Sequence, residues 1–276
     1  MMKPPSQSPT EAEFVVSHFI SLLADAITFC HLAENPSLTR SARASLVRAS
    51  ILNSVFALEC VANILLKSID LSKHIYLRFE KLPILEKYEA ILFLLFPAHN
   101  FNRGAKEVQE IKELIALRNA QVHVKVRHEE AVGKSINEAW WAFEPKDNSK
   151  TKVLKVPKNS DRWDSSYGVM ALQSLDTFLK LFLIDWAHFS PYDVSNTLLY
   201  QVQFGNKEAI LMPEDSISAL DLAKKHMGLK LDFMDLDIPN VRVSFIDKDV
   251  SKSLCAKVKI VHSSKFRLST PCLTMA

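Results

Sequence analysis

SILNSVFALECVANILLKSI, residues 50–69, decides the fold. From Val55 to Leu66 the run is almost wholly apolar, interrupted by polar Glu59 and Asn63. It is too long for a strand and lacks the polar face of a surface helix, so it has to lie at the centre of a helical bundle. Just upstream, Arg40, Arg43 and Arg48 lie in a mixed basic pattern, and the two halves read as one helix over 37–69.

Helical patterning continues on both sides. Residues 1–9, rich in Pro and Ser, read as a short disordered lead. Thr10 then caps a first helix, with Glu13 closing a capping box. That helix is expected to bury Phe14, Phe19, Leu22, Leu23, Ala26, Ile27 and Phe29 and to stop at Asn35-Pro36. A third helical stretch, 72–96, should break near Pro83 and end before Pro97. A fourth, AKEVQEIKELIALRNAQVHVKVR (105–127), buries Val108, Ile111, Leu114, Ile115 and Leu117, and a fifth, 165–189, closes the bundle. Beyond Pro191 the period changes. LLYQVQF (198–204), VRVSFI (241–246) and AKVKIVH (256–262) alternate as strands do, while 216–226 reads as a short helix stopped by Gly228.

The expected architecture is therefore mainly α: an antiparallel helical bundle over 10–195, then a small α+β appendage over 196–276. A basic hairpin insertion is expected at 139–163, with 139–143 pairing to 152–156 around Asp147-Asn148-Ser149-Lys150.

Composition narrows the class. At 276 residues, 48% hydrophobic and 24% charged, the chain has a globular balance and enough length for a large core. Only five glycines argue against glycine-rich phosphate loops and against an all-β fold of tight turns. A net charge of +3 does not by itself identify a nucleic-acid partner, but its distribution is uneven. Lys146, Lys150, Lys152, Lys155, Lys158 and Arg162 face only Glu144, Asp147 and Asp161 between Phe143 and Trp163. A second basic run includes Lys248, Lys252, Lys257, Lys259, Lys265 and Arg267. Each reads either as a phosphate-contacting surface or as a solvated face. Trp140, Trp141 and Trp163 flank the first run, where they can stack bases or pack a core.

Four widely spread cysteines and scattered histidines signal neither a zinc site nor a disulfide framework, so reduced thiols and no cofactor are expected. The opening MMKPPSQSPT lacks the apolar core of a secretory signal, and no run approaches the ~20 apolar residues that span a bilayer. A soluble, cytosolic protein without a membrane partner is expected.

The chemistry-bearing stretch is LIALRNAQVHVKV, 114–126, where Arg118 is followed by Asn119 and, five positions after the arginine, by His123. On an ideal helix Asn119 and His123 share a face, whereas Arg118 stands about 140° from His123 and has to reach across. Imidazole exchanges a proton near neutral pH. It can take the proton of a ribose 2′-hydroxyl, which then attacks the adjacent phosphorus. A guanidinium is permanently charged and forked, suited to the charge that builds on the non-bridging oxygens. Asn119 supplies a neutral donor and acceptor to orient the histidine or a phosphate oxygen. An arginine and a histidine at this spacing arise easily by chance; the intervening asparagine and the leucine-rich helix before it make the set rarer. Ordinary surface contacts of a helix end are the alternative reading.

Arg118-Asn119-x-x-x-His123 resembles the signature of HEPN domains (higher eukaryotes and prokaryotes nucleotide-binding), and 50–69 is similar to their long second helix. The resemblance covers about 10–190 and implies an antiparallel helical bundle that dimerises and cuts RNA without metal. It implies Arg118 as phosphate stabiliser, His123 as acid and base, and Asn119 as polar partner. Glu59, a carboxylate in so apolar a run, must be paired, and reads either as a support of the site with Arg118 or His123 as partner or as a group hydrogen-bonded within the bundle and unrelated to catalysis. Arg127 reads either as an extension of phosphate binding or as solvated helix-end charge, and Lys125, Lys152 and Lys155 are the expected RNA contacts. Ser54 and Asn63 read as packing residues. The same resemblance implies a toxin-like or antiphage effector, with a neutralising antitoxin or regulatory protein as partner. A non-catalytic HEPN-like scaffold that binds a nucleotide or protein is the alternative. A DNA-binding regulator is disfavoured because the basic runs fall outside any recognition helix.

Overall fold

A computed structural model of the chain describes residues 13–15, 17–123, 131–137, 140–146, 148–204, 207–236, 241–243 and 259–260. The described chain is mainly helical. Its helices are α1 (Phe19–Leu32), α2 (Arg40–Ser68), α3 (Lys73–Phe79), α4 (Ile84–Leu95), α5 (Lys106–Val122), α6 (Ser165–Lys180), α7 (Pro191–Leu198) and α8 (Glu214–Leu222). A π-helical turn, Leu181–Trp186, prolongs α6, and another, Ala223–Met227, prolongs α8. The strands are β1 (Glu13–Val15), β2 (Ala131–Asn137), β3 (Trp140–Pro145), β4 (Tyr200–Phe204), β5 (Lys207–Pro213), β6 (Val241–Val243) and β7 (Lys259–Ile260).

Helix boundaries follow local chemistry. Thr39 caps α2 by accepting the Ala42 N–H at 3.2 Å, and Asn35 holds the preceding turn by accepting from Ser37 N and Oγ. The expected break near Pro83 separates α3 from α4, with Pro83 at the start of the second. Gly228 ends the helical turn after α8 in the left-handed region (φ 67°), the conformation that favours glycine there.

Two compact units make up the chain, one formed by Met1–Ala24, Phe56–Phe101 and Leu179–Ala276, the other by Asp25–Val55 and Asn102–Phe178. In the first, Leu58, Val61, Leu65 and Leu66 of α2 are buried together with Ile91, Leu92 and Phe182 of the unit's core. The Tyr88 ring meets Phe182 edge-on at 4.7 Å, and its hydroxyl donates to the Leu58 carbonyl at 2.8 Å. Its five-stranded sheet runs β6-β5-β4-β1-β7, antiparallel at β5/β4 and β4/β1 and parallel at β6/β5 and β1/β7. In the second unit, Ile27, Val47, Ile51 and Val55 are buried, as are Val108, Ile111, Leu114 and Leu117 of α5 and Leu172, Leu175 and Phe178 of α6. There Gly168 admits Cys30: a Cβ at that position would lie 2.8 Å from the Cys30 sulfur.

Several expectations are corrected. The first helix starts at Phe19, not Thr10; residues 13–15 form a strand that pairs Phe14 with Val202 of β4. Residues 1–9 and Thr10 lie outside the described residues. The β-branched pair Val15-Val16 favours extension, and Ser17 accepts the Phe19 N–H at 3.4 Å where the helix begins. Leu179–Ala276 share a unit with Phe56–Phe101 and the N-terminal segment, whose strand β1 lies within the sheet. The hairpin pairs β3 with β2, matching Ala142 to Lys134, and not with 152–156. Two helices, Arg40–Ser68 and Ser165–Trp186, are long and apolar enough to cross a membrane, against the expectation that no run approaches that length. Of each apolar window, 56% is buried inside the protein, as a core helix also requires.

Candidate functional site

Leu114 and Arg118 are one turn apart on α5, so the arginine continues the buried stripe of Ile111 and Leu114 and is half-buried for that reason. Its terminal nitrogen donates to the Asn119 Oδ1 at 2.9 Å. A guanidinium has donors only, so the atom facing it must be the amide oxygen. The Asn119 acceptor is thereby committed to Arg118, and no partner takes its NH2 group among the described residues.

The helix ends where the histidine starts. Val122 is the last residue of α5, and His123 leaves helical geometry (φ −107°, ψ 62°) while its N–H still reaches the Asn119 carbonyl at 2.9 Å. Asn119 therefore touches both neighbours, Arg118 through its side chain and His123 through its backbone. The fixed 140° separation of an ideal helix does not apply to His123, because its own φ and ψ now set where the imidazole goes. The ring is exposed and makes no hydrogen bond among the described residues.

Exposed Lys112, Ala116 and Asn119 fall at i, i+4 and i+7, which places them on one solvent-facing stripe of the motif helix, with exposed His123 just past its end. Sequence reading passed over Lys112, although its spacing from Asn119 was visible. On the adjoining face Glu113 holds the first basic run. Its Oε1 accepts from the Lys152 and Val153 N–H groups at 2.8 and 2.9 Å, and its Oε2 from Val153 and Leu154 at 3.1 and 2.9 Å. Burial raises the Glu113 carboxyl, but these backbone donors and the Thr151 hydroxyl outweigh it and leave the group below its ordinary value.

The segment 149–158 is closed on itself. Thr151 N–H donates to the Val156 carbonyl at 2.8 Å, Lys158 N–H to Ser149 at 3.0 Å, and Val156 N–H to the Thr151 hydroxyl at 3.0 Å. Leu154, Val156 and Pro157 are buried, and the Trp163 indole N–H donates to the Pro157 carbonyl at 2.6 Å. Trp163 is therefore a core residue of this unit, 2% exposed. Lys155 sits in the left-handed region (φ 58°). Lys150, Lys152, Lys155 and Lys158 are exposed, and none has an ion-pair partner among the described residues.

Glu59 belongs to the other unit. It pairs with Lys87, whose amine lies 3.3 Å from its Oε1 and donates to Asn63 Oδ1 at 2.8 Å. The Lys87 side chain is 2% exposed, and that of Glu59 31%. Glu59 and Asn63 are thus the polar partners of a buried cation, which explains both interruptions of the apolar run. Ser54 donates to the Ser50 carbonyl one turn back and is a packing residue, as expected. Lys125, Arg127 and its neighbour His128 lie outside the described residues, so the expected extension of the site past His123 is not described. Among the described residues no three His, Cys, Asp or Glu side chains are grouped to hold a metal ion. No protein-family model, curated protein or solved structure matches the chain.

Proposed function

We propose that the chain is a metal-independent endoribonuclease of HEPN type, built on an antiparallel helical bundle and acting as a homodimer. The observation that carries this reading is the joined Arg118–Asn119 pair beside an exposed His123 at the end of α5. In the proposed reaction the His123 imidazole takes the proton of a ribose 2′-hydroxyl. The 2′-oxygen attacks the adjacent phosphorus, and the bond to the 5′-oxygen breaks. The histidine of the second copy returns a proton to that 5′-oxygen, leaving a 2′,3′-cyclic phosphate and a 5′-hydroxyl. Arg118, steadied by Asn119, neutralises the non-bridging oxygens as their charge grows. Val122, 47% exposed beside His123, offers apolar surface to the second copy. A toxin-like or antiphage setting, with a neutralising partner, follows from the family resemblance alone.

The test is incubation of wild type, Arg118→Ala and His123→Ala with total RNA in excess chelator, followed by end-group analysis. The reading requires cyclic-phosphate ends from wild type and none from folded His123→Ala. Wild type that binds RNA yet leaves it intact would instead identify a non-catalytic scaffold.

A further inference from the structure

Glu113 is an acid placed where a nucleic-acid surface would be expected to exclude one. It faces away from Arg118, about 140° round the helix, and ten residues before His123, about 15 Å along the axis. Its two oxygens are spent on the backbone of Lys152, Val153 and Leu154. The loop it grips is closed by its own hydrogen bonds and pinned by buried Leu154, Val156 and Pro157. Four lysine ammonium groups consequently project from a loop whose backbone is fixed to the motif helix.

We propose that Glu113 is a positioning residue that presents Lys150, Lys152, Lys155 and Lys158 as a preformed phosphate-binding platform for single-stranded RNA running along α5 to His123. This rests on the ribonuclease reading and gives it a substrate requirement. A span of about 15 Å covers roughly two to three phosphates of an extended strand, so the bound RNA has to continue beyond the scissile link. Lys112, exposed one residue before Glu113 on the Asn119 stripe, adds a further cation at the loop end of the track. Preorganisation matters because a loop already fixed by Glu113 has no backbone freedom left to lose on binding, and only the lysine side chains remain to be ordered.

The sign of one substitution separates this from simple charge attraction. Glu113→Gln removes a negative charge, so Coulomb attraction alone predicts tighter RNA binding. The platform predicts weaker binding, because a neutral amide has one acceptor oxygen where the carboxylate has two. Binding of a fluorescent 12-nucleotide RNA, measured by anisotropy on a His123→Ala background, reads affinity without cleavage. Glu113→Gln should weaken it about fivefold to tenfold near 0.15 M salt and lower the log–log salt slope by about 1.4, the equivalent of two phosphate contacts on a single strand. Lys152→Ala/Lys155→Ala, which leaves the Glu113 anchor in place, should do the same, and adding Glu113→Gln to it should add little. In the cleaving protein, Glu113→Gln should raise KM for the 12-mer, as Lys152→Ala/Lys155→Ala does. Unaltered or tighter binding in Glu113→Gln overturns the platform, even where wild type still cuts RNA and the catalytic reading stands. A His123→Ala protein that binds no RNA overturns it as well.

Discussion

Replacing Glu59 by glutamine isolates the buried cation of the first unit. Lys87 is 2% exposed and held by two partners, Glu59 at 3.3 Å and Asn63 at 2.8 Å. The glutamine side chain keeps the shape and one acceptor but leaves the ammonium without its counter-charge. Breaking a fully buried pair costs about 3–5 kcal/mol, and an exposed pair is worth about 0.2–1 kcal/mol. Glu59 is 31% exposed and Asn63 remains, so the expected loss lies between those limits, about 2 kcal/mol. For a chain of this size that lowers the melting temperature by roughly 4 °C. Lys87→Met removes the charge while filling similar volume, so it should be within about 1 kcal/mol of wild type or more stable. In the Lys87→Met background Glu59→Gln should cost almost nothing, giving a coupling of about 2 kcal/mol. Urea unfolding of the four proteins measures the cycle. A loss under about 0.5 kcal/mol for Glu59→Gln, or a large loss for Lys87→Met, refutes the reasoning. Unchanged stability together with lost RNA cleavage would return Glu59 to the catalytic machinery.

Gly168→Ala should destabilise by about 1–3 kcal/mol, because the added Cβ meets the Cys30 sulfur, and Cys30→Ala in the same chain should recover most of it; thermal melts of the single and double variants decide. Burial, with Glu34 adding to it, pushes the Cys30 thiol up to about 12, and burial chiefly pushes Cys60 up to about 11. Both should resist iodoacetamide at about pH 8 in the folded protein and react on unfolding, as peptide mass mapping would record; rapid native alkylation of either contradicts this. Glu113 is depressed, so its grip on the loop is fully present above the ordinary carboxylate range and is lost as pH falls through the lowered value. The amide shifts of Lys152, Val153 and Leu154 should therefore titrate together in acid, and the titration should vanish in Glu113→Gln. Shifts that titrate at or above the ordinary carboxylate range, or that titrate equally in Glu113→Gln, would count against the anchor.

Local pattern carried much of the fold. The central helix, the break at Pro83, the stop at Gly228 and the helix bearing Arg118, Asn119 and His123 each depend on residues within a few turns of one another, and each was legible. Lys87 left a faint signal: it lies at the spacing of buried Ile84, Tyr88 and Ile91 on α4, a stripe position where a lysine needs a partner. Glu113 left none, because its partners are backbone N–H groups about forty residues away, and sequence does not say which loop will offer them.

Sequence alone determined that the chain is mainly helical and that an arginine and an asparagine stand late on one helix, although it carried that helix to about Arg127 where the structure ends it at Val122. Both follow from periodicity and spacing along a single element. Tertiary structure decided which distant segments meet: β1 with β4 and β7, β2 with β3, Lys87 with Glu59, and the lysine loop with Glu113. Those pairings depend on which backbone donors and buried charges remain unsatisfied once the helices pack, and that is settled only when the whole chain has folded.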